Sequence, residues 1–74
     1  MIKHIQNYEN LANAIIETAV KDYRAAKKRL RLHPDDGKAR YTIKEVSKFF
    51  RSTYFQRLSS TDGEYILRNL EDEL

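Results

Sequence analysis

Between Tyr8 and Leu30 the chain runs without a glycine or a proline, and its apolar residues fall at Leu11, Ala12, Ile15, Ile16, Ala19, Val20, Tyr23, Ala26 and Leu30. That is the i, i+3, i+4, i+7 pattern of one helix face, and a two-residue strand period does not fit it. The spacing predicts a single helix from about Asn7 to Leu32, roughly 26 residues and ~39 Å long. At ~100° per residue the apolar positions spread over roughly 180°, wider than a narrow coiled-coil seam, so the helix needs more than one neighbour. Glu17 and Lys21 form a favourable i, i+4 pair, and the cations in the last turns oppose the negative end of the helix dipole.

His33-Pro34-Asp35-Asp36-Gly37 ends this helix, because a proline disfavours helical geometry at the residue before it and Asp-Gly is a turn dipeptide. Thr42-Ile43-Lys44-Glu45 matches a capping box and predicts a second helix from Thr42, with Ile43, Val46, Phe49 and Phe50 on one face. The apolar pattern continues through Tyr54, Phe55 and Leu58, with a kink or break at Ser52-Thr53. Thr61-Asp62-Gly63-Glu64 matches a second capping box and opens a last helix with Ile66, Leu67, Leu70 and Leu74 inward. The predicted fold is therefore all-α, one domain over residues 1–74. One long N-terminal helix packs against two shorter ones in a three-helix bundle whose second helix is kinked or broken.

A chain of 74 residues sits near the size at which burial only just outweighs the lost chain entropy, and without cysteine no disulfide or thiolate metal site adds to it. The polar Gln6-Asn7-Tyr8-Glu9-Asn10 interrupts any signal-peptide apolar stretch, and no apolar run approaches the ~18 residues of a membrane span. A cytoplasmic protein is expected.

The net charge of +3 hides an asymmetry: from Lys21 to Arg57 twelve Lys/Arg face four Asp/Glu, while from Leu58 to Leu74 only Arg68 faces Asp62, Glu64, Glu71, Asp72 and Glu73. Met1 to Val20 is close to neutral at −1. A basic middle beside an acidic tail predicts either an anionic partner for the middle or pairing of the two, within one chain or between two.

Each candidate for chemistry has a simpler account. His33, Asp35 and Asp36 are metal-ligand types in a flexible turn with no fourth partner, which reads as a solvated turn. His4 has no nearby carboxylate to orient it, and Asp62 and Glu64 at a helix start serve as cap and dipole partners. Ser59, Ser60 and Thr61 lack an adjacent base, and two glycines make no phosphate loop. No catalytic, cofactor or metal site is predicted, and no small-molecule substrate is expected.

The cations are more informative. Lys21, Arg24, Lys28 and Arg31 share a stripe ~80° wide opposite the apolar face, and Lys44, Lys48 and Arg51 lie within ~60° on the second helix. With Lys38 and Arg40 in the predicted connecting loop, these nine are the candidate nucleic-acid-binding residues, working by phosphate neutralisation. The simpler account is a solvated face, and helices packed core to core point their outer faces apart. The aromatics Tyr8, Tyr23, Tyr41, Phe49, Phe50, Tyr54, Phe55 and Tyr65 read mostly as core, with Phe50-Arg51 and Tyr54-Phe55-Gln56-Arg57 the one stretch that has the character of a base-stacking platform. A break at Ser52-Thr53 leaves about six residues for a recognition helix, too few for helix-turn-helix docking.

Phe49-Phe50-Arg51-Ser52, Phe55, Leu58 and Asp62-Gly63-Glu64-Tyr65-Ile66-Leu67, with Ala19-Val20 and Asp22-Tyr23-Arg24 before them, form a pattern spanning about Leu11 to Leu70. It resembles small uncharacterised proteins encoded in prophages and integrative elements of Gram-positive bacteria. Where those proteins tend to carry a tryptophan in the Phe-Phe-Arg-Ser-x-x-Phe segment, this chain has Tyr54. The resemblance implies a mobile-element origin and a bacterial cytoplasm, and carries no functional residues across. The expected function is a non-enzymatic accessory role through protein–protein contacts, with a homodimer as one form. The alternative is sequence-tolerant nucleic-acid binding through the basic residues.

Overall fold

The computed structural model describes the backbone of residues 2–73 and the side chains of residues 11–73. It is all-helical, with α1 over Ile2–Leu32, α2 over Gly37–Phe50, α3 over Thr53–Leu58 and α4 over Gly63–Asp72. The side chain of Tyr8 on the apolar face, that of His4, and Leu74 at the end of the last helix lie outside the described residues.

The first helix is longer than the spacing predicted and begins at Ile2. It ends where the proline required, and His33 and Asp36 close the turn through backbone bonds from His33 to Arg29 at 2.8 Å and from Asp36 to His33 at 3.0 Å. The second helix starts one and a half turns before Thr42. Asp36 is its N-cap, accepting from the Ala39 N–H at 3.1 Å, and its carboxylate also takes Arg29 Nε at 2.7 Å. Lys38 and Arg40, expected in a loop, therefore sit in the first turns of α2. Thr42 lies inside the helix and donates from Oγ1 to the Lys38 carbonyl at 3.1 Å, the four-residues-back bond that a mid-helix threonine makes when it does not cap.

α2 stops at Phe50 and α3 begins three residues on, so the described residues form four helices, with a full break where a kink or break in the second helix was expected. Ser52 makes the break: its Oγ donates to the Phe49 carbonyl at 2.6 Å and accepts from the Phe55 N–H at 3.1 Å, closing one helix and capping the next. The cap of α4 is Asp62, which accepts from the Glu64 N–H at 3.0 Å, and Thr61 is exposed and caps nothing.

The core is formed by Tyr23, Val46, Phe50, Phe55, Leu67 and Leu70, with Phe50, Phe55 and Leu67 almost fully enclosed. Phe49, Phe50 and Phe55 meet edge to face, with ring centroids 5.1–5.6 Å apart, the arrangement that aligns ring edges with ring faces. Gly63 lets α4 reach this cluster. A Cβ there would lie 1.9 Å from the Phe50 carbonyl oxygen, closer than any side chain permits.

α2 runs antiparallel to α1, with Asp36 opposite Arg29 and Val46 beside Ala19. α4 starts at Phe50 and ends against Lys27, so both short helices lie along the same part of α1. The molecule measures 49 × 19 × 19 Å. At ~1.5 Å per residue α1 is about 46 Å long and α2 about 21 Å, so α1 alone sets the long dimension and α2 spans less than half of it.

Candidate functional site

The C-terminal half of α1 is gripped from two sides. Towards α2, Tyr23 and Ala26 are buried. Towards α4, Lys27 Nζ donates to the carbonyls of Leu70 at 2.6 Å, Glu71 at 2.8 Å and Glu73, placing an ammonium on the last carbonyls of the helix, which have no partner within it. Arg24 forks onto Glu73 through Nε at 2.9 Å and Nη2 at 2.7 Å, and Arg31 reaches the Glu73 carbonyl at 3.4 Å. Hydrogen bonding to Arg24 lowers the pKa of Glu73, as hydrogen bonding to Arg51 lowers that of Glu64. The acidic tail thus pairs with the basic middle inside one chain.

Those contacts sort the nine candidate cations. Lys21 pairs with Glu17 at 3.1 Å, Arg24 and Arg31 hold the tail, Arg40 donates to the Pro34 carbonyl at 2.7 Å, and Arg51 pairs with Glu64 at 2.6 Å. Lys28, Lys38, Lys44 and Lys48 are exposed and have no ion-pair partner among the described residues. Lys28 stands on α1 and the other three on α2, so the structure does not bring the nine onto one helix face. Lys27, the cation with most contacts, was absent from the predicted set. At i+3 from Arg24 and i+4 from Tyr23 it lies where the basic stripe meets the apolar face, and only that border position hinted at it.

The candidates for chemistry have structural work. Asp36 caps α2, and its pKa is lowered first by the Arg29 hydrogen bond and then by the Ala39 N–H. No group of three or more His, Cys, Asp or Glu capable of holding a metal occurs among the described residues. A concavity of about 560 Å³ between the start of α2 and the end of α1 has Arg29 and Asp36 on its wall paired with each other. No described helix is long and apolar enough to cross a membrane. Among the aromatics expected in the core, Tyr41, Tyr54 and Tyr65 are exposed.

The N-terminal half of α1 is different. Leu11 is 58% exposed and Ile15 half-buried, while Ile16, Ala19 and Val20, though only half-buried, pack against the core; all continue the stripe that is buried at Tyr23 and Ala26. Where this open stretch passes the end of α2 lies a shallow groove of about 220 Å³, lined by Ile15, Thr18, Ala19 and Asp22 of α1 and by Glu45, Val46 and Phe49 of α2. Ile15, Thr18 and Asp22 follow i, i+3, i+7 spacing along its α1 wall, and Leu11, one turn before Ile15, continues that seam beyond the groove. Neither Asp22 nor Glu45 forms an ion pair among the described residues.

Comparison of the chain with protein-family models, with curated proteins and with solved structures returned no match.

Proposed function

We propose that this chain is a non-enzymatic helical accessory protein that acts in the cytoplasm through protein–protein contacts, with a second copy as a homodimer or with another protein. The observation that carries the reading is the apolar face of α1, closed by α2 and α4 at Tyr23 and Ala26, partly covered at Ile15, Ile16 and Ala19, and exposed at Leu11. Water contact with such a stripe is removed by a docked partner, and non-polar area of this kind on a small monomer marks an interaction surface. The resemblance to small prophage and integrative-element proteins supports a role as an accessory of such an element.

The second reading, sequence-tolerant nucleic-acid binding, draws on Lys28, Lys38, Lys44 and Lys48, whose charges have no partner among the described residues. The two readings separate in one pair of measurements on the full chain. Sedimentation velocity at low salt follows association of the wild type and of Leu11→Asp, while fluorescence anisotropy follows binding to single-stranded and duplex oligonucleotides at two salt concentrations. The contact reading expects no saturable oligonucleotide binding at tens of micromolar. Binding whose log K falls with log salt at a slope near −3.6, the value for about four neutralised phosphates, and which becomes shallower in Lys28→Gln/Lys38→Gln, overturns it.

A further inference from the structure

The groove between α1 and α2 combines two properties that rarely meet in this basic chain. Its floor is carbon, from Ile15, Ala19, Val46 and Phe49, and it carries one carboxylate from each wall, Asp22 from α1 and Glu45 from α2. Because the helices are antiparallel, the two acids lie towards one end of the groove, while Ile15 and Phe49 form the other end and Leu11 extends it by a further turn. From Ile15 to Asp22 the α1 wall covers about 10 Å at ~1.5 Å per residue, and with Leu11 the seam runs about 16 Å, three helical turns. The other described carboxylates within the basic middle differ: Asp36 has an arginine partner at 2.7 Å, and Asp35 stands in the exposed turn away from any apolar floor.

We propose that this groove docks one amphipathic helix of a different protein, a helix whose apolar stripe is flanked by lysine or arginine. This deepens the protein-contact reading and rests on it. The apolar stripe of the incoming helix lies on Ile15, Ala19 and Phe49, and its cations meet Asp22 and Glu45 at the far end. Complementary charge then fixes the direction in which the helix lies and rejects acidic competitors. A second copy of this chain matches the groove less well. Its cationic helical segments already bury their apolar sides at Tyr23, Ala26, Ala39 and Val46, and the more exposed stretch of α1 from Leu11 to Ile15 carries no lysine or arginine. That stretch would bring no cation to the two carboxylates.

The test uses the full chain and three fluorescein-labelled synthetic 18-residue helical peptides: one with a leucine stripe flanked by lysines, one with glutamate in place of lysine, and one with the lysine peptide's sequence scrambled. Anisotropy titration is expected to show the lysine peptide binding at least about tenfold tighter than the other two. Asp22→Lys/Glu45→Lys is expected to reverse the preference between the lysine and glutamate peptides, and Ile15→Asp to abolish binding of both. The milder Glu45→Gln, which keeps the volume, is expected to weaken the lysine peptide by a few-fold, and circular dichroism melts establish that each variant is folded. Equal affinity for the three peptides, or a lysine preference that survives the double reversal, overturns the proposal. So does a chain that sediments as a dimer and becomes a monomer in Ile15→Asp, which assigns the groove to a second copy. Salt-steep oligonucleotide binding, in contrast, overturns the protein-contact reading itself.

Discussion

The two halves of α1 carry the same apolar periodicity and meet different fates. Around Tyr23 and Ala26 the stripe is buried by α2 and α4, and the flanking cations Arg24, Lys27 and Arg31 are tied to the end of α4. The stripe continues to Ile15, which only partly meets the end of α2 beside Phe49, and on to Leu11, which is exposed. Periodicity therefore reports the capacity of a helix to bury one face. Whether the face is buried depends on the length and direction of its neighbours, and the surplus is what a partner can use.

The largest expected effect erases the difference by freeing the covered half. Gly63→Ala drives a methyl into the Phe50 carbonyl and pushes α4 off the core. A loss of about 3 kcal/mol or more follows from overpacking at a backbone contact, enough to remove the cooperative thermal transition of so small a domain. Gly37, the other glycine at a helix start, has nothing within 4 Å of the same position, so Gly37→Ala is expected to be tolerated. A direct comparison of the two halves comes next. Tyr23→Ala is expected to cost about 3 kcal/mol and Leu11→Ala less than about 0.5 kcal/mol in urea denaturation. A cost at Leu11 equal to that at Tyr23 breaks the distinction. Lys27→Met keeps the aliphatic stem and removes the ammonium from the α4 carbonyls, and is expected to cost about 1 kcal/mol.

Acid sharpens the same contrast through the clamp. Asp36, Glu64 and Glu73 all have folded-state pKa values below their ordinary ones, each chiefly through a hydrogen bond from an arginine. A depressed carboxylate pKa contributes stability that is present above the unfolded-state value and is lost as pH falls through the folded one. Thermal midpoints are therefore expected to fall below about pH 4–5, and Arg24→Gln is expected to make that fall shallower. The arginine of each pair is exposed, and of the carboxylates only Asp36 is largely covered, so the effect is modest and weakens with added salt.

Much of this was legible from local rules. The long α1, the reversal at Pro34, the break at Ser52 and a helix opening near Asp62 all follow from short-range sterics and capping. The start of α2 was misread because two signals competed: Thr42 with Glu45 satisfies the capping-box spacing, yet Asp36 lies directly after the proline turn and caps Ala39 first, leaving Thr42 to bond the carbonyl of Lys38. At Thr61-Asp62 the aspartate takes the cap for the same reason, by standing one residue nearer the helix. The basic stripe was readable as a stripe, and intrachain pairing with the tail was one of its two expected outcomes. Which cations take part was not, since Arg24 and Glu73 are 49 residues apart and only the packing of Leu67 and Leu70 brings them together. The groove was invisible for a like reason, because it joins Ile15 to Phe49 across two helices.

Amide hydrogen–deuterium exchange along α1 of the monomeric free chain tests most directly whether one half of this helix is held by its own fold and the other left for a partner. Amides from about residue 20 to 31 are expected to exchange only through global unfolding, and those from about 11 to 18 at least ~10-fold faster through local opening. Addition of the lysine-flanked peptide is expected to slow the second group towards the first. Uniform protection along α1 in a monomer, unchanged by the peptide, would contradict the account.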